Sequence, residues 1–296
     1  MQIRVMTKKV ITELYSVKFW MAAIIIAILC FCANVEGESA SSDTVIYNLI
    51  FYCSRQDFID MGEMYSAYSV IMAFRNNYWF PIIVPVVAAI PYMYRFSDEW
   101  LTGYFYMSLP RTKRISYAAT TVVVAEVTGF LVMCIGILLF GIVCVYVFPS
   151  YSSYMLDADE SIVAAMYGQT QMARLMTLVK VWLHAGLLGS IASIISLIFL
   201  TIIHDCFLSL TLPMMLVYLS TKVCNYYSLF VREKYADDPP AVVGMLSLLI
   251  PSMYMDMEWA FHQWFGVPDF LWHIYLLALA GFLAIIMVYI VKRRDA

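Results

Sequence analysis

Six stretches of the chain are apolar for long enough to be read as membrane spans: residues 19–34, 78–94, 117–148, 175–203, 206–227 and 270–291. A hydrocarbon core about 30 Å thick needs about 20 mostly apolar residues per helix, because a helix satisfies its backbone donors and acceptors within the segment. The first two stretches are short and need flanking residues to cross. Ahead of the first, Ile3, Met6, Val10, Ile11 and Leu14 recur at helical spacing, with Arg4, Lys8, Lys9 and Glu13 mostly between them. This predicts an interfacial helix over residues 2–17, with a topogenic basic tail as the alternative. Residues 36–77 open polar and Ser-rich and then turn amphipathic through 45–51 and 61–74, as expected of a partly helical external segment. Only His204 and Asp205 separate the fourth and fifth spans, which predicts a tight helical hairpin.

Residues 231–269 follow a different pattern. Asp238-Pro239-Pro240 precedes an apolar run over 241–250 that is too short to cross a bilayer, and Pro251 ends it. An amphipathic piece over 254–264 follows before Pro268. Short re-entrant or interfacial helices are expected here, between spans five and six. The predicted fold is thus an all-α membrane protein with six transmembrane helices. It forms one domain over 1–296, with an interfacial helix in 1–18, an external loop in 36–77, a cytosolic segment in 95–116 and an external re-entrant region in 231–269.

Composition agrees. Of 296 residues, 63% are hydrophobic and 13% charged, and the mean hydropathy is +0.79, beyond what a soluble core requires. The net charge of −3 conceals an asymmetry. Arg4, Lys8, Lys9 and Lys18 precede the first span, Arg95, Arg111, Lys113 and Arg114 follow the second, and Lys292, Arg293 and Arg294 close the chain. Threading six spans puts all three groups on one side, which the positive-inside rule makes the cytosol. Both termini are then cytosolic, in a multi-pass protein of the plasma membrane. The opposite loops collect carboxylates, from Glu36 and Glu38 to Asp237 and Asp238. Aromatic residues at 78–80, 226–227 and 264–265 are expected at the outer interface, and Tyr92, Tyr94 and Tyr289 at the inner one. The apolar run after Lys18 has no small-residue cleavage site, so the first helix is expected to stay. The seven cysteines show no CxxC spacing and no HxxxH accompanies them, so neither a disulfide framework nor a metal site is expected. No nucleic-acid partner is expected either.

The segment between the second and third spans, SDEWLTGYFYMSLPRTKR over 97–114, carries the densest polar signal. Ser97 is a suitable N-cap with Asp98 and Glu99 in the first turn, where acidic groups favour the positive helix end. Trp100, Leu101 and Tyr104 then share a face, and Pro110 stops the helix before Arg111, Lys113 and Arg114. A short amphipathic helix docking on a neighbouring subunit is one reading; a topogenic loop with an aromatic anchor is the other.

Glu99, Gly103, Leu109, Pro110, Lys113, Arg114 and Tyr117, placed after the second span, resemble the coupling-helix region of type-2 ATP-binding-cassette (ABC) exporter permeases. The likeness extends along the chain through the amphipathic N-terminal helix, the six spans and the paired short helices before the last span. The resemblance implies that Asp98, Glu99, Trp100, Gly103, Tyr104, Leu109, Pro110 and Arg114 meet a groove on a cytosolic ATPase subunit. It also implies a second permease copy or homologue beside this one in the lipid bilayer. The chain has no GxxxxGK[ST] loop, so ATP and Mg would be bound by the partner and no cofactor by this chain.

Ionisable residues within spans are costly and therefore candidates for function. Glu126 stands nine residues after Tyr117, and Lys180 and His184 are one turn apart on one face of the fourth span. The expectation is that Glu126 faces His184 or Lys180 across the third and fourth helices; the alternative is a protonated, structural Glu126. Ala185, Gly189 and Ser193, with Gly186 and Ser190 beside them, permit close helix approach, within the subunit or at a dimer seam. Pro213 is a candidate kink. His204-Asp205 lacks the GxSxG or HExxH context of a hydrolase, so the chain is not expected to be an enzyme. The expected function is the membrane subunit of an ATP-driven exporter of an amphipathic cargo such as a peptide. A sensor or immunity protein that binds peptide at its outer face without transport is the alternative.

Overall fold

A computed structural model of the chain describes residues 2–34, 44–51, 54–60, 66–77, 79–102, 114–149, 171–235 and 269–293. Their regular elements are helices: α1 (Gln2–Leu14), α2 (Val17–Phe31), α3 (Val45–Phe51), α4 (Arg55–Asp60), α5 (Ala67–Ala73), α6 (Phe80–Leu101), α7 (Arg114–Val147), α8 (Gln171–Ile203), α9 (Cys206–Tyr235) and α10 (Asp269–Arg293). A 3-10 turn over Phe74–Asn76 follows α5, and an isolated antiparallel bridge joins Asn34 to Thr44. Among the described residues, five helical stretches are long and apolar enough to cross a membrane: Phe80–Glu99, Ile115–Val147, Leu175–Ile203, Cys206–Val223 and His273–Arg293. A sixth is reached if α1 and α2 count together.

The two short spans resolve differently. Helix α6 reaches 22 residues, about 33 Å at 1.5 Å per residue, by running on past Tyr94 to Leu101. The N-cap expected at Ser97 is therefore absent: Ser97 is a buried position inside α6, and Asp98 and Glu99 lie in its last turn rather than in the first turn of a new helix. Helix α2 keeps 15 residues, about 22 Å, and joins α1 through a 60° bend. Ser16 makes that bend with extended backbone, its hydroxyl accepting the Phe19 N–H at 3.2 Å as the N-cap of α2.

Helix α8 is the centre of the bundle, packing on α6, α7, α9 and α10. Of its membrane window 67% is buried, against 22% for those of α9 and α10. Its partner along the longest seam is α7. A Cβ added to Gly129 would overlap Ser193 Oγ and stand 2.5 Å from the Gly189 carbonyl oxygen, and one added to Gly186 would stand 2.5 Å from the Phe130 ring. The small residues at 185, 186, 189, 190 and 193 are thus spent on an internal seam, with Ala185 and Ser193 buried. Gly136 allows a similar approach to α2, where its Cβ would lie 2.6 Å from Ile26 Cβ.

One end of the bundle gathers the starts of α2, α7 and α9 and the ends of α6, α8 and α10, with Lys18, Arg95, Lys292 and Arg293 nearby; we call it the basic end. Its core joins Tyr92, Met93 and Phe96 of α6 to Tyr117 and Val122 of α7, Leu200 of α8 and Met287 of α10. Tyr92 belongs to this core rather than to an aromatic belt: it is buried and stacks on Phe96 at 6.3 Å, whereas Tyr94 and Tyr289 are exposed. At the far end Trp79 is exposed while Phe80 is buried.

The far end is capped by the segment between α2 and α6. Helices α3, α4 and α5 do more than lie on the surface, because Val45, Phe58, Val70 and Phe74 are fully buried. Phe58 meets Phe148 at 4.6 Å, Phe31 meets Phe140 at 4.7 Å and Phe74 meets Phe80 at 5.2 Å. Hydrogen bonds fix the cap to helix ends: Ala67 N–H donates to the Pro149 carbonyl at 2.9 Å, and Asn77 Nδ2 donates to the Leu29 carbonyl at 2.9 Å. The latter adds a second donor to a carbonyl in the last turn of α2 that also accepts the Cys32 N–H at 3.2 Å.

Candidate functional site

The densest polar arrangement stands at the basic end, where α1, α6 and α7 meet. Arg95 and Glu99 are one turn apart on α6, and Arg95 Nε donates to Glu99 Oε1 at 3.3 Å. Arg95 Nη1 also donates to Glu13 Oε1 of α1 at 2.7 Å. Tyr117 of α7 donates its hydroxyl proton to Glu99 Oε2 at 2.8 Å, and Lys9 Nζ lies 5.2 Å from the centre of the Tyr117 ring. Three helices are thereby joined through one carboxylate–guanidinium–carboxylate chain.

Burial makes the chain consequential. The Glu13 side chain is 5% exposed and that of Glu99 16%, while Arg95 keeps 34%. A carboxylate so far from water persists only when paired and hydrogen-bonded. The last turn of α6 is also the negative end of its dipole, where acidic residues are disfavoured; Arg95 and Tyr117 offset this for Glu99. Nearby, Lys18 Nζ sits 4.7 Å from the Tyr94 ring centre. The basic residues that set the expected orientation are thus also bound into the packing.

Of the residues expected to meet a partner, Asp98 is exposed and its carbonyl accepts the Thr102 N–H at 3.1 Å. Glu99 is turned inward, as above. Trp100 lies in α6 and Arg114 opens α7. Gly103, Tyr104, Leu109 and Pro110 lie outside the described residues, as do the expected re-entrant helices, apart from their flanks in α9 and α10. From the sequence, Tyr117 enters only through the coupling-helix resemblance, Glu13 only as a polar position of the first helix and Arg95 only through the charge bias; none is expected to join the others. A signal was present, for Glu13 falls on the same helical stripe as Val10 and Leu14, and Arg95 and Glu99 form an i, i+4 pair once α6 is continuous.

The intramembrane residues are arranged otherwise than expected. Along the α7–α8 seam Ser190 Oγ donates to the Glu126 carbonyl at 2.9 Å, and Trp182 Nε1 donates to the Cys134 carbonyl at 2.7 Å. This register sets Glu126 level with Ser190. His184 lies six residues away, about 9 Å along the axis, and Lys180 about 15 Å away. Glu126 therefore pairs with neither. His184 is fully buried and packs edge-to-face on His273 of α10 at 5.7 Å and 80°. Lys180 is exposed and lines, with His273, a groove between α8 and α10.

His204 and Asp205 form the α8–α9 turn. His204 takes φ +64° as the residue that ends α8, its N–H donating to the Leu200 carbonyl at 3.0 Å. Asp205 then caps α9, Oδ1 accepting the Leu208 N–H at 2.8 Å. Both have structural tasks there. Pro213 lies within α9 without ending it. Cys30, Cys32, Cys134, Cys144 and Cys206 are all free thiols.

No protein-family model, no curated protein and no solved structure matches the chain. The class defined by fold and site together is an all-helical, multi-pass membrane protein, with a cross-braced polar cluster at one end and a folded cap at the other.

Proposed function

We propose that the chain is the membrane-spanning subunit of an ATP-driven exporter of the type-2 ABC class, moving an amphipathic cargo with energy from a separate ATPase. The observation that carries this reading is the continuity of α6 into the charged segment, together with the bracing of Glu99. A load applied at residues 98–101 bears directly on α6. Through Tyr117 and Arg95 it also bears on α7 and α1. The working parts on this chain are Asp98 and the segment beyond it as the contact for the ATPase, and the Glu13–Arg95–Glu99–Tyr117 chain as the linkage from contact to spans. ATP and Mg belong to the partner, and a second permease half completes the pathway. The basic end faces the cytosol in this reading, following the Lys and Arg bias.

The folded cap favours a second reading, in which α3–α5 present a peptide-binding surface and the protein senses or sequesters without transport. One experiment separates the two. A photocrosslinker placed at Trp100 or Tyr104 in whole cells is expected to capture an ATPase with a P-loop, and the captured complex to hydrolyse ATP. Crosslinks to lipid only, or a topology reporter placing that segment outside the cell, overturn the exporter reading.

A further inference from the structure

Where α6, α7 and α8 pack on one another, a layer of buried hydroxyls lies just inside the basic end. Ser196 of α8 stands seven residues before the end of that helix at Ile203, about 10 Å along the axis. The bond from Ser190 to the Glu126 carbonyl sets Ser196 level with Thr120 of α7, which runs the opposite way. The bond from Ser193 to the Ala88 carbonyl sets it level with Pro91 of α6, which runs the same way. Thr121 and Tyr92 are each one residue from that level, within about 1.5 Å along the axes. Ser196 also continues the stripe of Gly189 and Ser193, the face of α8 that meets α7 and α6. The Thr121 hydroxyl stands beside those of Tyr92 and Tyr117. Yet Thr121 Oγ1 and Ser196 Oγ, both enclosed, complete no hydrogen bond with any described residue.

We propose that this layer binds one internal water, hydrogen-bonded to Thr121 Oγ1, Ser196 Oγ and the Tyr92 hydroxyl. A hydroxyl enclosed without a partner is costly, and the hydrocarbon around the spans offers it none. A buried water makes about three hydrogen bonds to groups otherwise left unsatisfied, which is what this layer supplies. Each hydroxyl can donate or accept, so one water joined to all three meets both orphaned groups at once. The surroundings are apolar, with Ala89, Val122, Ala125 and Leu197 buried there, so the hydroxyls select a neutral ligand rather than an ion. The water carries the polar linkage of the basic end one step inward. Glu99 and Tyr117 lead to Thr121, and the water leads on to α8, which the ion-paired chain does not reach. The site stands whether or not the chain transports.

The test is radiolytic hydroxyl-radical footprinting of the full chain in detergent, read residue by residue by mass spectrometry. Radicals made from a bound water label the side chains beside it even where bulk solvent has no access. Tyr92 is expected to take the label, whereas Phe140, fully buried against Phe31 and Phe74, stays unlabelled. Thr121→Val combined with Ser196→Ala is expected to abolish the Tyr92 label, with Phe140 reporting that the fold is intact, and Thr121→Ser to keep it. Thermal unfolding gives the second readout. Thr121→Val and Ser196→Ala are each expected to lower the unfolding temperature, and the double variant to lose less than the two losses added, because one water serves both. A wild-type Tyr92 as unlabelled as Phe140 overturns the proposal, as does a Tyr92 label that survives in the double variant. A Thr121→Val variant that unfolds at or above the wild-type temperature overturns it too, since only a hydroxyl without a partner is better replaced by a methyl. Strictly additive losses likewise count against it, because each hydroxyl would then be met separately.

Discussion

Replacing Gly189 with Ala tests whether the α7–α8 seam is as close as the structure makes it. The added Cβ would overlap the Gly129 carbonyl oxygen and stand 2.5 Å from Met133 Cγ and 3.0 Å from the Gly129 carbonyl carbon. Met133 can swing aside, being an unbranched side chain. The Gly129 backbone cannot, because it belongs to a helix packed on its other faces. Restoring ordinary contact, which begins near 3.4 Å, requires the axes to separate by about 1 Å. Overpacking of this kind costs about 1–3 kcal/mol. The displacement also stretches the hydrogen bonds from Ser190 to Glu126 and from Trp182 to Cys134, each worth about 0.6 kcal/mol in a membrane protein. The sum is about 2–4 kcal/mol, a shift of roughly 30- to 700-fold in the closed-to-open ratio of the seam. Cys134 reports it, since this buried thiol lies 3.8 Å from the Trp182 carbonyl. In a variant retaining Cys134 as its sole cysteine, maleimide labelling during thermal unfolding in detergent is expected to begin at markedly lower temperature for Gly189→Ala. Gly281→Ala is the control, because a Cβ there meets nothing within 4 Å. If the two variants label alike, the seam is looser than described and the reasoning fails.

Two further outcomes are expected. Arg95→Ala leaves the buried Glu13 carboxylate without its partner and is expected to destabilise by about 1–3 kcal/mol, the lower part of the range being favoured because the guanidinium is a third exposed. Adding Glu13→Gln should recover much of the loss in a double-mutant cycle followed by thermal unfolding, and no coupling between the two sites would contradict the bracing described. At the α8–α9 turn, His204→Val places a β-branched residue at φ +64° and is expected to cost about 1–2 kcal/mol, whereas His204→Gly should be tolerated. Equal unfolding temperatures for the two variants would show that the turn is not held in the left-handed region.

The long, featureless apolar runs were legible as helices from composition alone, and the hairpin at His204-Asp205 followed from the lack of residues to make anything longer. The stripe from Ala185 to Ser193 was legible as a close seam, though not its partner. Ser97-Asp98-Glu99 was misread because the same three residue types that start a helix can also end one, once cations and hydroxyls answer them. Here those answers come from Arg95 on the same helix and Tyr117 on the next. Glu126 was matched to the wrong neighbours because two facing helices can slide by whole turns without changing either pattern. The register is fixed by the glycine contacts and by the hydrogen bonds from Ser190 to the Glu126 carbonyl and from Trp182 to the Cys134 carbonyl. His184 and His273 are 89 positions apart, and no local periodicity connects them.

Helix α6 contains Pro85 and Pro91 within its length, and each withholds the amide that would complete one rung of the backbone ladder. Bending stiffness is therefore lowest over the five residues between them, near mid-depth, and greatest toward Glu99, where the side-chain brace stiffens the last turns. A torque delivered at the basic end is not absorbed where it arrives; it reappears as a change of angle half-way through the bundle, beside the Ser193 hydroxyl that donates to the Ala88 carbonyl at 3.2 Å.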